Sequence, residues 1–363
     1  MSFMKHRFNF LTALAFIGPA LLIYLFYFII PIPSSMYYSF FQWNGLPSHY
    51  KVSTPIFKRL EKEQGFPKEL SKQLKPLRNK KFQQEETFLA AIEEHIGAGK
   101  LQAYRSQFLE YGYAGKKYVG FGNWNALFHD PIFWKAFINN IILVIASIAL
   151  QIPAGIILGV FISSSMRGTR LFKLVYFIPM MISSVAIGIT WIYVYEPNFG
   201  LFNSFLRLLG LDVLAKGWLG DPNLALGSVI VATCWQFIPF YMILFAAALS
   251  GIPKDMYEAS SIDGATRVQA FFKITLPLLA NTIRVACVLS LTGSLRFFDL
   301  IYVMTGGGPN RSSELLATYM FEQAFTSFKM GYGSTIAVFM FLVSFALAML
   351  TLRSGKKHDE AHA

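Results

Sequence analysis

The stretch KDMYEASSIDGATRVQAFFKITLP, residues 254–277, is a polar segment between two long apolar runs. Asp255 followed by Glu258 predicts an N-cap with an acidic third position, so a helix should begin here. Gly264 can adopt the left-handed backbone conformation that ends a helix. The first half of the stretch therefore predicts a short helix closed by a glycine turn.

The second half predicts another short helix that leads into an apolar run. Thr266 and Gln269 have the spacing of a capping box. Pro277 fits the first turn of the next long helix, where its missing N–H has no intrahelical partner to lose. Neither half contains catalytic residues or a phosphate-binding loop, so we expect the stretch to dock into another protein.

The flanking sequence is that of a membrane protein. Hydrophobic residues make up 54% of the 363 and charged residues only 14%, whereas soluble domains average about 25% charged. Apolar runs long enough to cross about 30 Å of hydrocarbon occur near 10–31, 136–162, 171–195, 224–250, 276–303 and 334–352. We therefore predict an all-α membrane protein with six transmembrane helices.

The distribution of basic residues predicts the orientation, because cytoplasmic loops carry an excess of Lys and Arg. The short loops and tails on one side hold Lys5, Arg7, Arg167, Arg170, Lys173, Lys254, Arg267, Lys273, Arg353, Lys356 and Lys357. The short loops opposite hold fewer, so both termini should face the cytoplasm of a bacterial (inner) membrane. The net charge of +12 comes from these loops and one polar insert, so a lipid bilayer, and no nucleic acid, is the expected partner.

The chain divides into four predicted parts. They are a tail with the first span (1–31), an external segment (32–135), a five-helix core with the loop 254–277 (136–352) and a cytoplasmic tail (353–363).

The external segment contains a charged insert, residues 51–117, that we predict to be helical. One helix face gathers Phe88, Ile92 and Ile96, and a second gathers Leu101, Tyr104, Phe108 and Tyr111. Each face is narrow, so the helices must pack on each other or on something else. Two interpretations remain open: a docking surface for an external partner, or a solvated, loosely folded insertion.

The polar loop resembles a known motif, the EAA loop of binding-protein-dependent ABC import permeases. The matching residues are Glu258, Ala259 and Ser260, then Asp263, Gly264 and Ala265, then Ile274, Leu276 and Pro277. Ser260 replaces the second alanine of the family pattern, a small-for-small change. The resemblance implies that the first six of these residues couple the chain to an ATPase subunit in a type I ABC importer fold.

Outside the insert, the resemblance extends over about 8–46 and 118–352, and it is closest to the carbohydrate branch. The segments Trp235–Tyr241 and Thr305–Pro309 look like those of the F-type permeases of maltose transporters. This implies a transport subunit and not an enzyme, without a cofactor of its own, because ATP and Mg²⁺ bind to the partner ATPase. The implied partners are a second permease, two ATPase subunits, an external solute-binding protein and a sugar or oligosaccharide.

A sugar site pairs aromatic platforms with polar groups. The candidates on the fourth and fifth spans are Trp235, Gln236, Phe237, Phe240, Ser294, Arg296, Phe297 and Asp299. Ser294 and Phe297 match positions that face sugar in the resembling subunit. Arg296 and Asp299 are uncharged there. They either form an ion pair with each other, or Arg296 meets an anionic sugar group, since its planar fork suits a carboxylate.

Two other function classes compete with the importer. A secondary transporter or channel without an ATPase predicts inverted repeats or a charge relay across the spans, and the sequence contains neither. A membrane-bound enzyme predicts a catalytic cluster in the insert, where we find no clustered His, Asp and Glu. Co-purification with an ATPase that depends on loop 254–277 discriminates among all three.

Overall fold

The computed structural model of the chain describes residues 10–52, 67–78, 80–163 and 168–359. Lys5, Arg7 and Arg167, which helped to predict the orientation, lie outside the described residues, as does the part of the insert at 53–66. The chain forms two compact units, Met1–Ala126 with Glu322–Thr335 and Leu127–Phe321 with Ile336–Ala363.

The first unit begins with the first apolar span. It consists of α1 (Phe10–Tyr24), a π-helical turn (Leu25–Ile29) and α2 (Pro31–Ser39). The sequence predicted that this span ends near residue 31. Pro31 instead occupies the first turn of α2, a position that proline tolerates. The apolar span therefore continues to Ser39.

The insert is a small α+β module. Its helices are α3 (Lys68–Gln73), α4 (Glu85–Ile96) and α5 (Ala98–Gly112). The strands around them are β1 (Phe41–Gln42), β2 (His49–Lys51), β3 (Lys81–Phe82), β4 (Tyr113–Ala114) and β5 (Lys117–Tyr118). Strand β2 lies between β3 and β4 in one antiparallel sheet, and β1 pairs with β5 in another. Short strands thus join the two ends of a helical insert.

The two predicted helix faces are buried together in one core. Their described members in that core are Phe88, Ile92, Ile96, Leu101 and Phe108, with Tyr104 half-buried beside them. The side chain of Tyr111 lies outside those described. Because each amphipathic face is too narrow to be stable alone, the helices cover one another. Over its described residues the insert has its own hydrophobic core.

The second unit is built from long apolar helices joined by short ones. Its main helices are α7 (Pro131–Ser163), α8 (Thr169–Met181), α9 (Ser184–Val194), α10 (Leu201–Leu208), α11 (Ala225–Ser250), α12 (Lys254–Ile262), α13 (Arg267–Ala270), α14 (Leu276–Leu278), α15 (Ala280–Leu295), α16 (Asp299–Met304) and α17 (Leu316–Phe321). A further short helix, α6 (Gly122–Phe128), precedes α7, and α18 (Met330–Asp359) ends the described chain. Helix α7 packs against both α11 and α15.

Two of the predicted spans are bent. Helices α8 and α9 meet at 100°, and the helical segments Arg267–Leu278 and Ala280–Leu295 meet at 65°. The first bend lies where Ser183 ends the extended break and its side chain caps α9 by accepting from the Ala186 N–H. The fifth predicted span, 276–303, is also interrupted between Leu295 and Asp299.

Within the described residues, four helices are long and apolar enough to cross a membrane, or up to six if each bent pair is one span. The prediction of a helical, multi-spanning membrane protein is confirmed, and the short strands of the insert are an addition to it.

Candidate functional site

The polar loop 254–277 folds as two short helices around a glycine turn. Gly264 has φ +80° and ends α12, as the sequence predicts. Thr266 Oγ1 accepts from the Gln269 N–H at 3.2 Å, and Gln269 Oε1 accepts from the Thr266 N–H at 2.8 Å. The predicted capping box is therefore confirmed.

The predicted N-cap at Asp255 is wrong. Helix α12 begins at Lys254, with Pro253 in the N-cap position and no side-chain hydrogen bond there. Proline fixes its own φ near the value needed to enter a helix. Asp255 instead lies in the first turn, where a carboxylate interacts favourably with the positive end of the helix dipole.

The six predicted coupling residues lie on an accessible surface. Glu258, Ala259, Asp263 and Gly264 are exposed, and Ser260 and Ala265 are half-buried. Helix α12 has no buried residue. A surface helix that buries nothing within its own chain is available to a partner.

Apolar side chains surround these residues, and sequence reasoning missed them. The exposed fraction of Ile262 is 87%, and Met256, Val268 and Phe272 are also well exposed. Exposed apolar clusters rimmed by polar residues mark protein contact sites. Their sequence signal was a set of single apolar residues inside a polar loop.

The loop is hydrogen-bonded to the helical segment that leads into α15. The hydroxyls of Tyr257, on α12, and Thr275 are hydrogen-bonded at 3.0 Å. Thr275 is buried and ends the π-helical turn Phe271–Thr275. The Thr275 carbonyl accepts from the N–H of Leu279, the residue at the 65° bend.

The candidate sugar residues of α11 have different surroundings. Gln236 is buried, with 3% of its surface exposed, and its amide donates to Ser184 Oγ at 3.2 Å. Its Oε1 has no hydrogen-bond partner among the described residues. Trp235 is partly exposed and packs edge-on against Trp191. Phe240 packs beside the cluster that contains Tyr241 and Phe245.

The remaining candidates lie in the last turn of α15 (Ser294), in the irregular segment after it (Arg296 and Phe297) and at the start of α16 (Asp299). The Phe297 and Phe237 rings lie 6.2 Å apart, so the structure brings these two predicted residues together. Ser294 is buried, and its carbonyl accepts from Asn140 Nδ2 at 2.9 Å. Asn140 also accepts from the Leu316 N–H, a buried link that sequence reasoning missed.

Arg296 and Asp299 are both exposed. Within the described chain they form no ion pair with each other, and Arg296 Nε donates to the Thr292 carbonyl at 3.3 Å. Asp299 begins α16, where its negative charge interacts favourably with the positive end of the helix dipole. The guanidinium of Arg296 is thus not neutralised by the acid three residues away.

A cavity of about 360 Å³ lies elsewhere in the second unit. It is lined by Ile192, Tyr195, Glu196, Pro197, Gly217, Leu219, Gly220 and Met304. None of the predicted sugar residues lines it. Within the described residues, no cluster of three or more His, Cys, Asp and Glu side chains could hold a metal ion.

The proteins most similar in sequence include permease subunits of ABC transporters. A permease of Bacillus subtilis, the probable ABC transporter permease protein YurN, is 36% identical over 68% of this chain and 85% of its own length. The trehalose/maltose transport system permease protein MalF of Thermococcus litoralis is 31% identical over 66% of this chain and 81% of its own.

The fold has a solved counterpart. A chain of a bacterial ABC transporter involved in the import of the acidic polysaccharide alginate superposes with a TM-score of 0.62 at 22% identity. The alignment covers 84% of this chain and 99% of that one. This likeness supports the type I importer fold.

The family model described as the binding-protein-dependent transport system inner membrane component matches residues 151–356. That match includes the whole of loop 254–277 and confirms the resemblance carried by its residues. The chain therefore belongs to this family of multi-spanning membrane permease subunits of ABC importers.

Proposed function

We propose that this chain is one of two permease subunits that form the translocation path of a sugar or oligosaccharide importer. The observation that carries the proposal is the loop 254–277: an exposed helix, rimmed by apolar side chains and hydrogen-bonded to the segment that leads into α15. Such a loop can receive force from a soluble partner and pass it to the membrane helices.

The partner at this loop is an ATPase subunit, present in two copies so that each permease receives one. The chain has no phosphate-binding loop of its own. Closure of the ATPase pair on ATP moves the two coupling loops, and the permease pair switches between inward-open and outward-open states. Such a switch requires that both ligands favour one of two states of the same element.

A second permease completes the path. Trp235 and Arg296 are exposed in the isolated chain although both belong to apolar helices or their ends. In hydrocarbon, an ionised side chain is costly unless it faces a partner or a water-filled cavity. Arg296 therefore faces the partner permease or the path between the two.

A sugar is the substrate class that this surface fits. Phe237 and Phe297 offer apolar ring faces, and the buried, unpartnered Oε1 of Gln236 can accept a hydrogen bond from a sugar hydroxyl once the path opens to it. The relative from Thermococcus litoralis carries trehalose and maltose in its name, and the fold counterpart imports alginate. Neutral and acidic sugars are thus both represented among similar proteins.

The un-neutralised guanidinium of Arg296 favours an acidic sugar. Arg binds a carboxylate through two parallel hydrogen bonds, which a neutral hydroxyl cannot reproduce. A uronate-containing oligosaccharide supplies such a carboxylate. An external solute-binding protein delivers it, and the insert lies on the same external face, with both chain termini in the cytoplasm.

Reconstitution in liposomes tests the importer. The chain is co-expressed with its genomic neighbours, and ATP hydrolysis is measured with the binding protein and its sugar. We expect stimulation by the loaded binding protein, lost in Glu258→Lys because this charge reversal lies at the docking surface. Asp212→Lys is the matched control, since Asp212 is also exposed but lies outside the loop.

The two outcomes support different functions for this chain. Stimulation that survives in Asp212→Lys and disappears in Glu258→Lys supports the ATP-driven importer. Sugar uptake without any ATPase, or equal activity in both variants, makes the secondary transporter or channel the better interpretation.

A second experiment tests the charge of the substrate. Uptake of uronate-containing and neutral oligosaccharides is compared in wild type, Arg296→Gln and Arg296→Lys. We expect Arg296→Gln to reduce uronate uptake about tenfold or more, with Arg296→Lys retaining part of it because the charge remains. Equal uronate uptake in wild type and Arg296→Gln contradicts the acidic-sugar assignment and leaves the importer itself intact.

A further inference from the structure

We propose that the hydrogen bond between Tyr257 and Thr275 is a coupling strut: it makes helix α12 and the arm Arg267–Leu278 move as one rigid body about the bend at Leu279. This inference rests on the proposed function, because it concerns how that loop transmits force. Tyr257 and Thr275 are positioning residues, and neither is part of the exposed docking surface.

Apart from the turn at its end, where the N–H groups of Gly264 and Ala265 donate to the Ser261 and Ser260 carbonyls at 3.1 and 2.9 Å, little else in the described chain holds helix α12. None of its residues is buried. Its covalent link to the arm passes through Gly264, whose φ is +80° and around which a β-carbon would meet nothing within 4 Å. Glycine has the fewest steric limits on its backbone dihedrals, so the angle of this turn can change under load. A force applied to α12 alone would therefore be absorbed by the turn.

The strut bypasses that turn. The Tyr257 hydroxyl reaches the Thr275 hydroxyl at 3.0 Å, across 18 positions of sequence. Thr275 is buried, with 4% of its surface exposed, so water competes poorly for this hydrogen bond. The bond joins the middle of α12 to the far end of the arm.

From Thr275 the connection continues into the membrane helices. Its carbonyl accepts from the Leu279 N–H at 3.0 Å, and the Leu279 carbonyl accepts from the Ile283 N–H of α15 at 2.8 Å. Leu279 is buried in the cluster that contains Ile156 of α7 and Phe245 of α11. Rotation of the arm at Leu279 thus displaces side chains in the core where α7, α11 and α15 pack together.

The sequence just before the bend is suited to a lever. The π-helical turn Phe271–Thr275 and the short helix α14 form a continuous helical arm, and Pro277 lies in it without breaking it. The direction changes by 65° only between Leu278 and Ala280. A stiff arm with a single bend converts a displacement of α12 into a change of angle.

The test removes one hydroxyl at a time in the reconstituted complex. Tyr257→Phe and Thr275→Val delete the hydrogen bond while keeping shape, and Thr275→Ser retains the hydroxyl. The measured quantity is the number of ATP molecules hydrolysed per sugar transported. We expect this ratio to rise about fivefold in Tyr257→Phe and Thr275→Val, the factor that corresponds to one ordinary hydrogen bond, and to stay near wild type in Thr275→Ser.

The double variant and a matched control make the result specific. Tyr257→Phe with Thr275→Val should have the same ratio as either single variant, because each removes the same bond. Tyr193→Phe is the control, since Tyr193 is exposed and its hydroxyl has no hydrogen bond to a described residue. Additive effects, or a ratio unchanged in both single variants, would overturn the proposal.

Distance measurements test the rigid body directly. Spin labels at Asp255 and Lys273 report on α12 and the arm, and labels at Lys273 and Leu289 span the bend; all three side chains are exposed and lie outside the apolar docking cluster. In wild type, ATP should change only the second distance. In Tyr257→Phe the first distance should broaden and shift with ATP. A first distance equally narrow in both proteins contradicts the strut even if a variant assembles poorly.

Failure of the strut and failure of the proposed function are distinguishable. A wild-type complex that couples ATP to sugar uptake, together with a Tyr257→Phe complex that couples equally well, contradicts only the strut. A wild-type complex without ATP-dependent uptake contradicts the importer on which the strut rests.

Discussion

Gly155 lies so close to Tyr241 that a β-carbon on the glycine would come within 2.5 Å of the Tyr241 Cβ. The contact joins α7 to α11, two long helices of the second unit. Small residues at such crossings let membrane helices approach closely, and packing between the backbones then replaces the hydrophobic effect as the stabilising force.

Gly155→Ala should therefore destabilise the α7–α11 packing. We expect a loss of about 1–3 kcal/mol from overpacking, seen as a lower midpoint of thermal unfolding in detergent. Gly227→Ala on α11 is the matched control, because a β-carbon there meets nothing within 4 Å. Equal unfolding midpoints in the two variants would show that α7 and α11 move apart to fit the added methyl group without a loss of stability.

The buried carboxylate of Glu314 is paired with the guanidinium of Arg311. Arg311 Nη1 lies 2.9 Å from Glu314 Oε2, and the Arg311 side chain is 35% exposed. Arg311→Gln should loosen the segment 305–319 by about 1–2 kcal/mol, a figure reduced for solvent screening. Hydrogen exchange of peptides from this segment measures the effect.

The matched control is the exposed ion pair between Arg105 and Glu85, at 3.3 Å. Arg105→Gln should change exchange in its own surroundings by less than about 1 kcal/mol, because both partners keep water. Equal losses at the two sites would contradict the view that burial of the Glu314 carboxylate sets the difference.

The turn that follows α9 should be sensitive to acid. Glu196 accepts from the N–H groups of Phe199 and Asn198, each at 2.7 Å. The Phe199 N–H above all, with help from Asn198 and the Arg207 charge, lowers the pKa of this carboxyl below its ordinary 4.5. Its stabilising contribution is therefore complete above the pKa of the unfolded chain and is lost as pH falls through the lower, folded value.

We expect exchange protection of the Phe199 amide to fall as the pH drops through the lowered pKa of Glu196, after correction for the intrinsic exchange rate. Glu196→Gln should weaken this protection at neutral pH and remove most of its pH dependence. A wild-type turn whose corrected protection is flat down to pH 2 would rule out the carboxylate as its clamp.

The left-handed turn at Gly264 should require glycine. Gly264→Ala places a β-carbon on a residue with φ +80°, at a conformational cost of about 1–2 kcal/mol, and no neighbouring atom adds a clash. Gly264→Asn should cost less, since asparagine tolerates this region. The affinity of the complex for its ATPase should follow the order Gly, Asn, Ala; an alanine variant that binds as tightly as wild type would contradict the need for this turn.

Local signals could be predicted from the sequence where the structure is local. Gly264 and the pair Thr266 and Gln269 determine their turn and cap within four residues, and both predictions are confirmed. Asp255 was misplaced by two positions because Pro253 can open a helix without a side-chain cap. Capping residues predict that a helix is present more reliably than they predict the residue at which it begins.

The bends and the site could not be predicted, because distant contacts determine them. Apolar residues lie on both sides of Ser183 and Leu279, so a hydropathy pattern does not mark either bend. Asn140 contacts Ser294 and Leu316, more than 150 positions away. The pairing of Phe237 with Phe297 likewise depends on where α15 ends. Only the residue types of the candidate sugar site were readable in advance, and their role there stays a prediction.

The pairing of β1 with β5 has a consequence for how this protein can be rebuilt. Gln42 and Lys117 are partners across an antiparallel ladder, so the two points where the chain leaves and rejoins the membrane-proximal part are about 5 Å apart. The described residues between them form a cassette with its own hydrophobic core, closed at both ends by this two-strand pairing. A linker of two to four residues joins those points, so the cassette can be removed, replaced or moved to another permease without stretching the helix that precedes it.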